Sequence, residues 1–339
     1  MLEKIEELQK AGTQDAANEL LALTETLDDK SAVKAAKRAL YLLSQKGIVP
    51  EPKTPKPEAK PEVQTENVRV YASAYDGEGN SLMLFVEPDK DGGSPYVTQV
   101  LVNDQSGIRN FGGGKLSRQE LNERVTRFQS QLDNGIAFVE ILPEEGRRVL
   151  QQVQSVHNSS RGRTPRGFAE WATKLGVQKG KPETLLTLSD ELTTAESDTE
   201  PEADALFNLP YFETWFFDQS LGIGLLNNLS QTGKVGNDVS EEERNAALLQ
   251  VMRNAATDIF APTVREVFRK RLEYSASILW RLDKKDEAAL ALAHARKLQS
   301  ETPSADIAFA RTLCERTMWA AYEMHKRAEQ EKAEKKEGK

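Results

Sequence analysis

The chain has 339 residues, 38% hydrophobic and 29% charged, with 45 Lys and Arg against 53 Asp and Glu and a formal net charge of −8. That length can bury more than one core, and the acidic balance leaves no global field to draw the protein onto nucleic acid or an anionic membrane. The sole cysteine, Cys314, excludes an internal disulfide and, on the apolar stripe Ile307, Ala310, Leu313, Cys314, Met318, reads as a small buried hydrophobe rather than a reactive thiol.

Residues 1–48 predict an N-terminal helical hairpin of two or three helices, with Leu20, Leu21 and Leu23 facing Val33, Ala36, Leu40 and Leu43, and Gly47 as a left-handed stop. The charged, amphipathic N-terminus lacks the apolar stretch of a secretory signal, and no run approaches the roughly 18 apolar residues that span a bilayer. No membrane insertion is therefore expected, and a cytoplasmic location is. The stretch 33–40, following Asp28-Asp29, resembles the second helix of a HEAT repeat. Residues 49–66 carry Pro50, Pro52, Pro55, Pro57 and Pro61 between Lys, Glu and Thr, the composition of a semi-rigid linker.

Residues 67–182 predict an α+β domain followed by basic helices. Three antiparallel strands are expected at 68–75, 82–86 and 96–102, bounded by Gly/Asp-rich turns. A helix should follow from Ser117, where Ser117 and Glu120 have the spacing of a capping box, and 136–142 should return as a fourth strand. Residues 107–114 read as a flexible glycine loop: Gly107 and Gly112 have phosphate-loop spacing, but Gly113 and Gly114 stand where Lys and Ser/Thr are needed. The oxygen-bearing Asp76, Glu78, Asn80 and Glu87 fit a hairpin turn better than a calcium loop, because Ser81 replaces the required glycine. Further helices open at Pro143 and near Phe168.

Between Arg147 and Lys181 eight basic residues stand against Glu170 alone, whereas 182–205 holds eight carboxylates and no base. Arg147, Arg148, Arg161, Arg163, Arg166, Lys179 and Lys181 are therefore candidate nucleic-acid contacts, with the acidic linker 183–205 as their intramolecular competitor.

Residues 206–326 predict a C-terminal antiparallel bundle, with 327–339 a charged tail. The aromatic run opening it, Phe207, Tyr211, Phe212, Trp215 and Phe216, can share a helical face, as core packing or as a candidate partner-binding surface. Helix starts are expected at the Ser240/Glu243 and Thr263/Glu266 capping boxes, at Asp286 and at Thr302-Pro303. Within the second of these helices an apolar face (Val264, Phe268, Leu272, Leu279) leaves Arg265, Arg269, Lys270 and Glu273 outward. Leu272, Ala276, Leu279, Ala288, Leu292 and Ala295 resemble the packing positions of one tetratricopeptide repeat (272–298), without a second copy.

The three histidines are too scattered for a zinc site, and no nucleophile elbow or dinucleotide fingerprint is present. The expected fold class is α+β and mostly helical: a small antiparallel sheet with a covering helix, a C-terminal helical bundle and a tethered helical hairpin. The expected function is a non-catalytic interaction or scaffold protein binding other proteins, without cofactor or metal. RNA binding through 147–181 is the alternative, and an enzyme acting through the glycines near Gly112 the third reading.

Overall fold

The computed structural model describes all residues except 27–28, 49, 51–66, 90, 161–162, 183, 195–200, 235–237 and 338–339. The chain divides into two compact units, Met1–Glu62 and Val63–Lys339. The proline-rich linker, apart from Pro50, lies outside the described residues.

The first unit packs α1 (Leu2–Ala11), α2 (Gln14–Thr26) and α3 (Lys30–Ser44) around Ile5, Ala17, Leu20, Ala32, Ala36, Ala39 and Leu43. The alanines let the helix axes approach closely. Asp29 caps α3 by accepting from the Ser31 amide at 2.8 Å, and Gly47 adopts φ +79 just beyond it. The HEAT-like stretch is the middle of α3.

The second unit opens with a sheet of β1 (Arg69–Ser73), β2 (Asn80–Glu87), β3 (Tyr96–Asn103) and β4 (Gly107–Lys115), then α4 (Arg118–Gln129), β5 (Phe138–Ile141), α5 (Pro143–Ser159) and α6 (Phe168–Lys174). The strands are antiparallel throughout in the order β4-β3-β2-β1-β5. Two expectations change here. The meander has four strands rather than three, and the glycine stretch is its edge strand rather than a loop, with Gly112, Gly113 and Gly114 opposite Gln99, Thr98 and Val97. Strand propensity in β4 itself is low; the ladder to the β-branched β3 holds it.

Alternation divides the sheet into two faces. Val70, Ala72, Met83, Phe85, Val100 and Val102 face the main core with Val149, Leu150 and Val153 of α5. Close approach needs Gly146, where a Cβ would stand 2.8 Å from Val70 Cγ1. On the other face α4 lays Leu121 and Val125 over Tyr71, Leu84, Val86, Val97 and Phe138. Its start is the expected capping box: Glu120 N–H donates to Ser117 Oγ at 3.2 Å, and Ser117 N–H to Glu120 Oε2 at 2.8 Å.

Then come α7 (Asp190–Thr194), α8 (Ala203–Phe207), α9 (Gln219–Gln231), α10 (Glu241–Ile259), α11 (Pro262–Arg281), α12 (Lys285–Gln299) and α13 (Ala308–Glu337). The capping box at Ser240 forms. The other three starts move. Ala261 caps α11 with Pro262 at its first position, while Glu266 pairs instead with Arg269. Lys284 precedes α12, leaving Asp286 in the first turn. Pro303 leads only a 3-10 turn, Ser304–Asp306, before α13 begins. The α11/α12 hairpin buries all six positions noted for their repeat-like spacing, and Asp283 makes its tight turn at φ +59.

One core runs from Val68 to Met318, across the boundaries drawn at 182 and 205. Within the acidic segment Leu186, Leu192 and Ala203 are buried in it, while the described carboxylates Asp190, Glu191, Glu202 and Asp204 are exposed. α13 continues through the charged tail to Glu337.

Candidate functional site

The β1–β2 turn is closed locally. Asn80 N–H donates to Asp76 Oδ1 at 2.8 Å, and Asp76 N–H returns to the Asn80 carbonyl at 2.9 Å. This is the hairpin read from the sequence. Gly77 lets the turn lie on the aromatic segment, since a Cβ there would meet the Thr214 carbonyl oxygen at 2.3 Å. From below, Arg271 of α11, only 2% exposed, donates to the Gly77 carbonyl at 2.9 Å and pairs with Asp104.

The aromatic run is not one helix. α8 stops at Phe207, and Leu209 to Thr214 make successive turns around Pro210, whose missing N–H could not continue the ladder. Phe207, Tyr211, Phe212 and Trp215 therefore scatter into the core, where Phe212 and Trp215 meet edge to face at 5.0 Å. Phe216 alone of the five candidates is turned out, 43% exposed.

Phe216 lies in a cleft of about 900 Å³ between the β1–β2 turn, the 134–136 loop, α11 and α13. Ile136 (38% exposed) and Met324 (51%) line the same cleft. Carboxylates stand along it at Asp76, Glu78 and Asp218, all on exposed residues. The Ser220 hydroxyl and the Leu221 amide hold Asp218 below the usual carboxylate range, so it remains ionised. Among the lining residues the basic group is Arg271, already engaged by Asp104. Thr317 is also engaged: its Oγ1 accepts from Phe217 N–H at 3.0 Å and donates to the Leu313 carbonyl at 2.7 Å. The cleft thus offers apolar contact under an acidic rim, with no histidine, cysteine or activated hydroxyl.

The basic candidates do not converge. Arg147 and Arg148 line a depression of about 390 Å³, where Arg148 already donates to Thr184 Oγ1 at 3.0 Å and Thr187 Oγ1 at 3.2 Å. Lys179 is held beside them through its carbonyl, which accepts from Gln151 at 3.3 Å, and Lys181 is exposed nearby in sequence. Arg163 and Arg166 lie past the other end of α5, about 20 Å along the helix axis. Arg161 falls outside the described residues. Within the acidic segment Thr184 and Thr187 thus meet Arg148 through hydroxyls rather than carboxylates, while Glu191 reaches Lys285 at 3.9 Å and the Thr193 carbonyl accepts from Arg296.

Sequence reading missed Ile136, Met324 and Arg271 as neighbours. They come from three segments that only the tertiary fold joins, and no local pattern marks them. Among the described residues no group of three or more His, Cys, Asp or Glu could hold a metal ion, and no helix is long and apolar enough to cross a membrane. No protein-family model matches the chain, and neither the curated proteins nor the solved structures contain a match.

Proposed function

We propose that this chain is a non-catalytic protein-interaction module whose cleft takes a segment of another protein bearing apolar anchors flanked by Lys or Arg. The observation that carries this reading is the exposure of Phe216, Ile136 and Met324 in one cleft with three carboxylates along it. Exposed apolar clusters with a polar rim are typical of interaction surfaces, and aromatic and Met side chains supply much of their contact. A small-molecule site orients its ligand with free, convergent polar groups; here Arg271 and Thr317 are spent on the fold. The rim then selects charge: a basic flank is attracted and an acidic one repelled.

The test is selection of random peptides on the purified full chain, followed by titration against wild type, Phe216→Asp and Ile136→Asp. Enriched peptides should carry apolar residues beside Lys or Arg and weaken at least tenfold on both variants. Failure to enrich any such peptide, or binding indifferent to both substitutions, overturns the proposal.

A further inference from the structure

The sheet ends on β4, and among the described residues no strand pairs its outer side. At the start of the strand Ile108 N–H is covered by the end of α5, donating to His157 Nδ1 at 3.4 Å. Beyond that point Arg109, Asn110, Gly112, Gly113 and Lys115 are exposed. An open edge is a template for another strand, and proteins blunt it with proline, inward charge, bulges or cover. β4 carries a bulge at Arg109, where the register to β3 shifts; from Asn110 to Gly114 the ladder is regular and holds neither proline nor a charged residue. A Cβ at Gly112 or Gly114 would meet nothing within 4 Å, so the sheet face is open above both positions. Next to it α4 leaves the β3–β4 face uncovered, a depression of about 350 Å³ lined by Gln99, Leu101, Asn110, Leu116 and Arg124.

The charge around this edge is positive. Arg109 and Lys115 stand at its two ends, Arg124 lines the depression, and Arg166 immediately precedes Gly167, whose Cβ position lies 4.0 Å from the Phe111 ring. Asp89 pairs with Lys115 at 3.1 Å, and Glu120 lies close enough to feel Arg124. Arg109 and Arg166 make no ion pair among the described residues; Arg109 is only 3.5 Å from the Ser106 hydroxyl. A second copy is a poor occupant, since antiparallel pairing centred on Gly112 would set Arg109 opposite Lys115, a like-charge cross-strand pair.

We infer that β4 accepts an extended acidic segment of another protein as a sixth strand, held by main-chain hydrogen bonds along 110–115 and selected by Arg109, Lys115, Arg124 and Arg166. This site is separate from the acidic cleft and independent of its assignment, for it attracts the opposite charge.

The test uses the full chain with a soluble peptide of alternating Val/Thr and Glu, its Lys counterpart, and a mixed-sequence oligonucleotide. Binding is read by fluorescence anisotropy and by amide hydrogen exchange. The Glu peptide should bind more tightly at low salt and slow exchange within 110–115, and the Lys peptide should not bind. Arg109→Glu with Arg166→Glu, both exposed, should weaken binding at least tenfold; Gly112→Pro, with its fold checked by circular dichroism, should weaken it through the backbone alone. The inference is overturned if Glu and Lys peptides behave alike or protection falls elsewhere. It is equally overturned if only the oligonucleotide binds, or if 110–115 become protected without peptide as the chain dimerises.

Discussion

The Arg271 guanidinium, carried by α11, grips the Asp104 carboxylate in the β3–β4 turn with Nε at 2.5 Å and Nη2 at 2.8 Å, while Nη1 holds the Gly77 carbonyl of the neighbouring β1–β2 turn. One side chain thus fixes both sheet turns against the helical bundle and shapes one wall of the cleft. Burial pushes the Asp104 carboxyl above its ordinary range, with Arg271 offsetting only part of that. A raised folded value means this carboxyl favours the fold most below the ordinary carboxylate range and loses that contribution as pH rises through its folded value. At neutral pH the pair therefore specifies how sheet and bundle meet more than it adds stability.

Removing one partner exposes the asymmetry. Arg271→Ala leaves Asp104 largely buried and uncompensated, and should cost about 3–5 kcal/mol in urea unfolding. Arg271→Met combined with Asp104→Leu should lose clearly less than the sum of the two single changes. Strict additivity would show that the two groups are not coupled.

Gly79 sits inside this clamp at φ +83, and a Cβ there would fall 2.2 Å from Asp104 Oδ1 and 2.3 Å from Arg271 Nη2. Gly79→Ala should therefore add backbone strain of about 1–2 kcal/mol to the cost of displacing the ion pair. Gly112→Ala is the contrast: its Cβ meets nothing and no positive φ opposes it, so that change should be neutral or stabilise the strand by up to about 1 kcal/mol. Comparable denaturation midpoints for the two variants would contradict the clamp geometry.

His294 of α12 is fully buried beside Phe309; among the described residues neither ring nitrogen makes a hydrogen bond of ordinary geometry, and the nearby Glu202 backbone offsets the burial only in part. Burial pushes its pKa down from 6.5 to about 4. Because the unfolded chain takes up this proton first, stability is intact above pH 6.5 and falls as pH drops through the window to about 4, then stops falling on this account. The full loss is about 3 kcal/mol. His294→Leu should remove that slope, so the stability difference between variant and wild type should grow in the variant's favour from pH 7 to pH 4. A pH-independent difference would mean that the ring is solvated or paired.

What was legible in the sequence was local. The capping boxes at Ser117/Glu120 and Ser240/Glu243 need residues three apart, and both formed. At Thr263/Glu266 the same spacing was overridden, because Pro262 already suits the first helical position and Arg269 takes the carboxylate. β4 was misread because its glycines carry no strand signal; the pairing that makes it a strand belongs to β3. The cleft was half legible: the aromatic run was seen, but which ring faces outward depends on the turns around Pro210, and its neighbours Ile136 and Met324 arrive from elsewhere. Arg271 was invisible as a clamp because Asp104 lies 167 residues away.

Arg265, expected to face solvent, instead turns onto the end of α12. Its guanidinium donates to the carbonyls of Leu298 at 2.8 Å, Ser300 at 2.5 Å and Thr302 at 3.0 Å. The last carbonyls of a helix have no partners within it and carry the negative end of its dipole, so a fixed cation there satisfies both needs. Water can replace some of these bonds in a half-buried site, and Arg265→Ala should cost about 2 kcal/mol rather than the sum of three charged hydrogen bonds. Arg265→Lys should recover less than half, because an ammonium cannot present the planar fork that reaches three carbonyls at once. Amide exchange should quicken at 298–304 in both variants while the β-sheet is unchanged. Full recovery by lysine would reduce the contact to simple charge at a helix end.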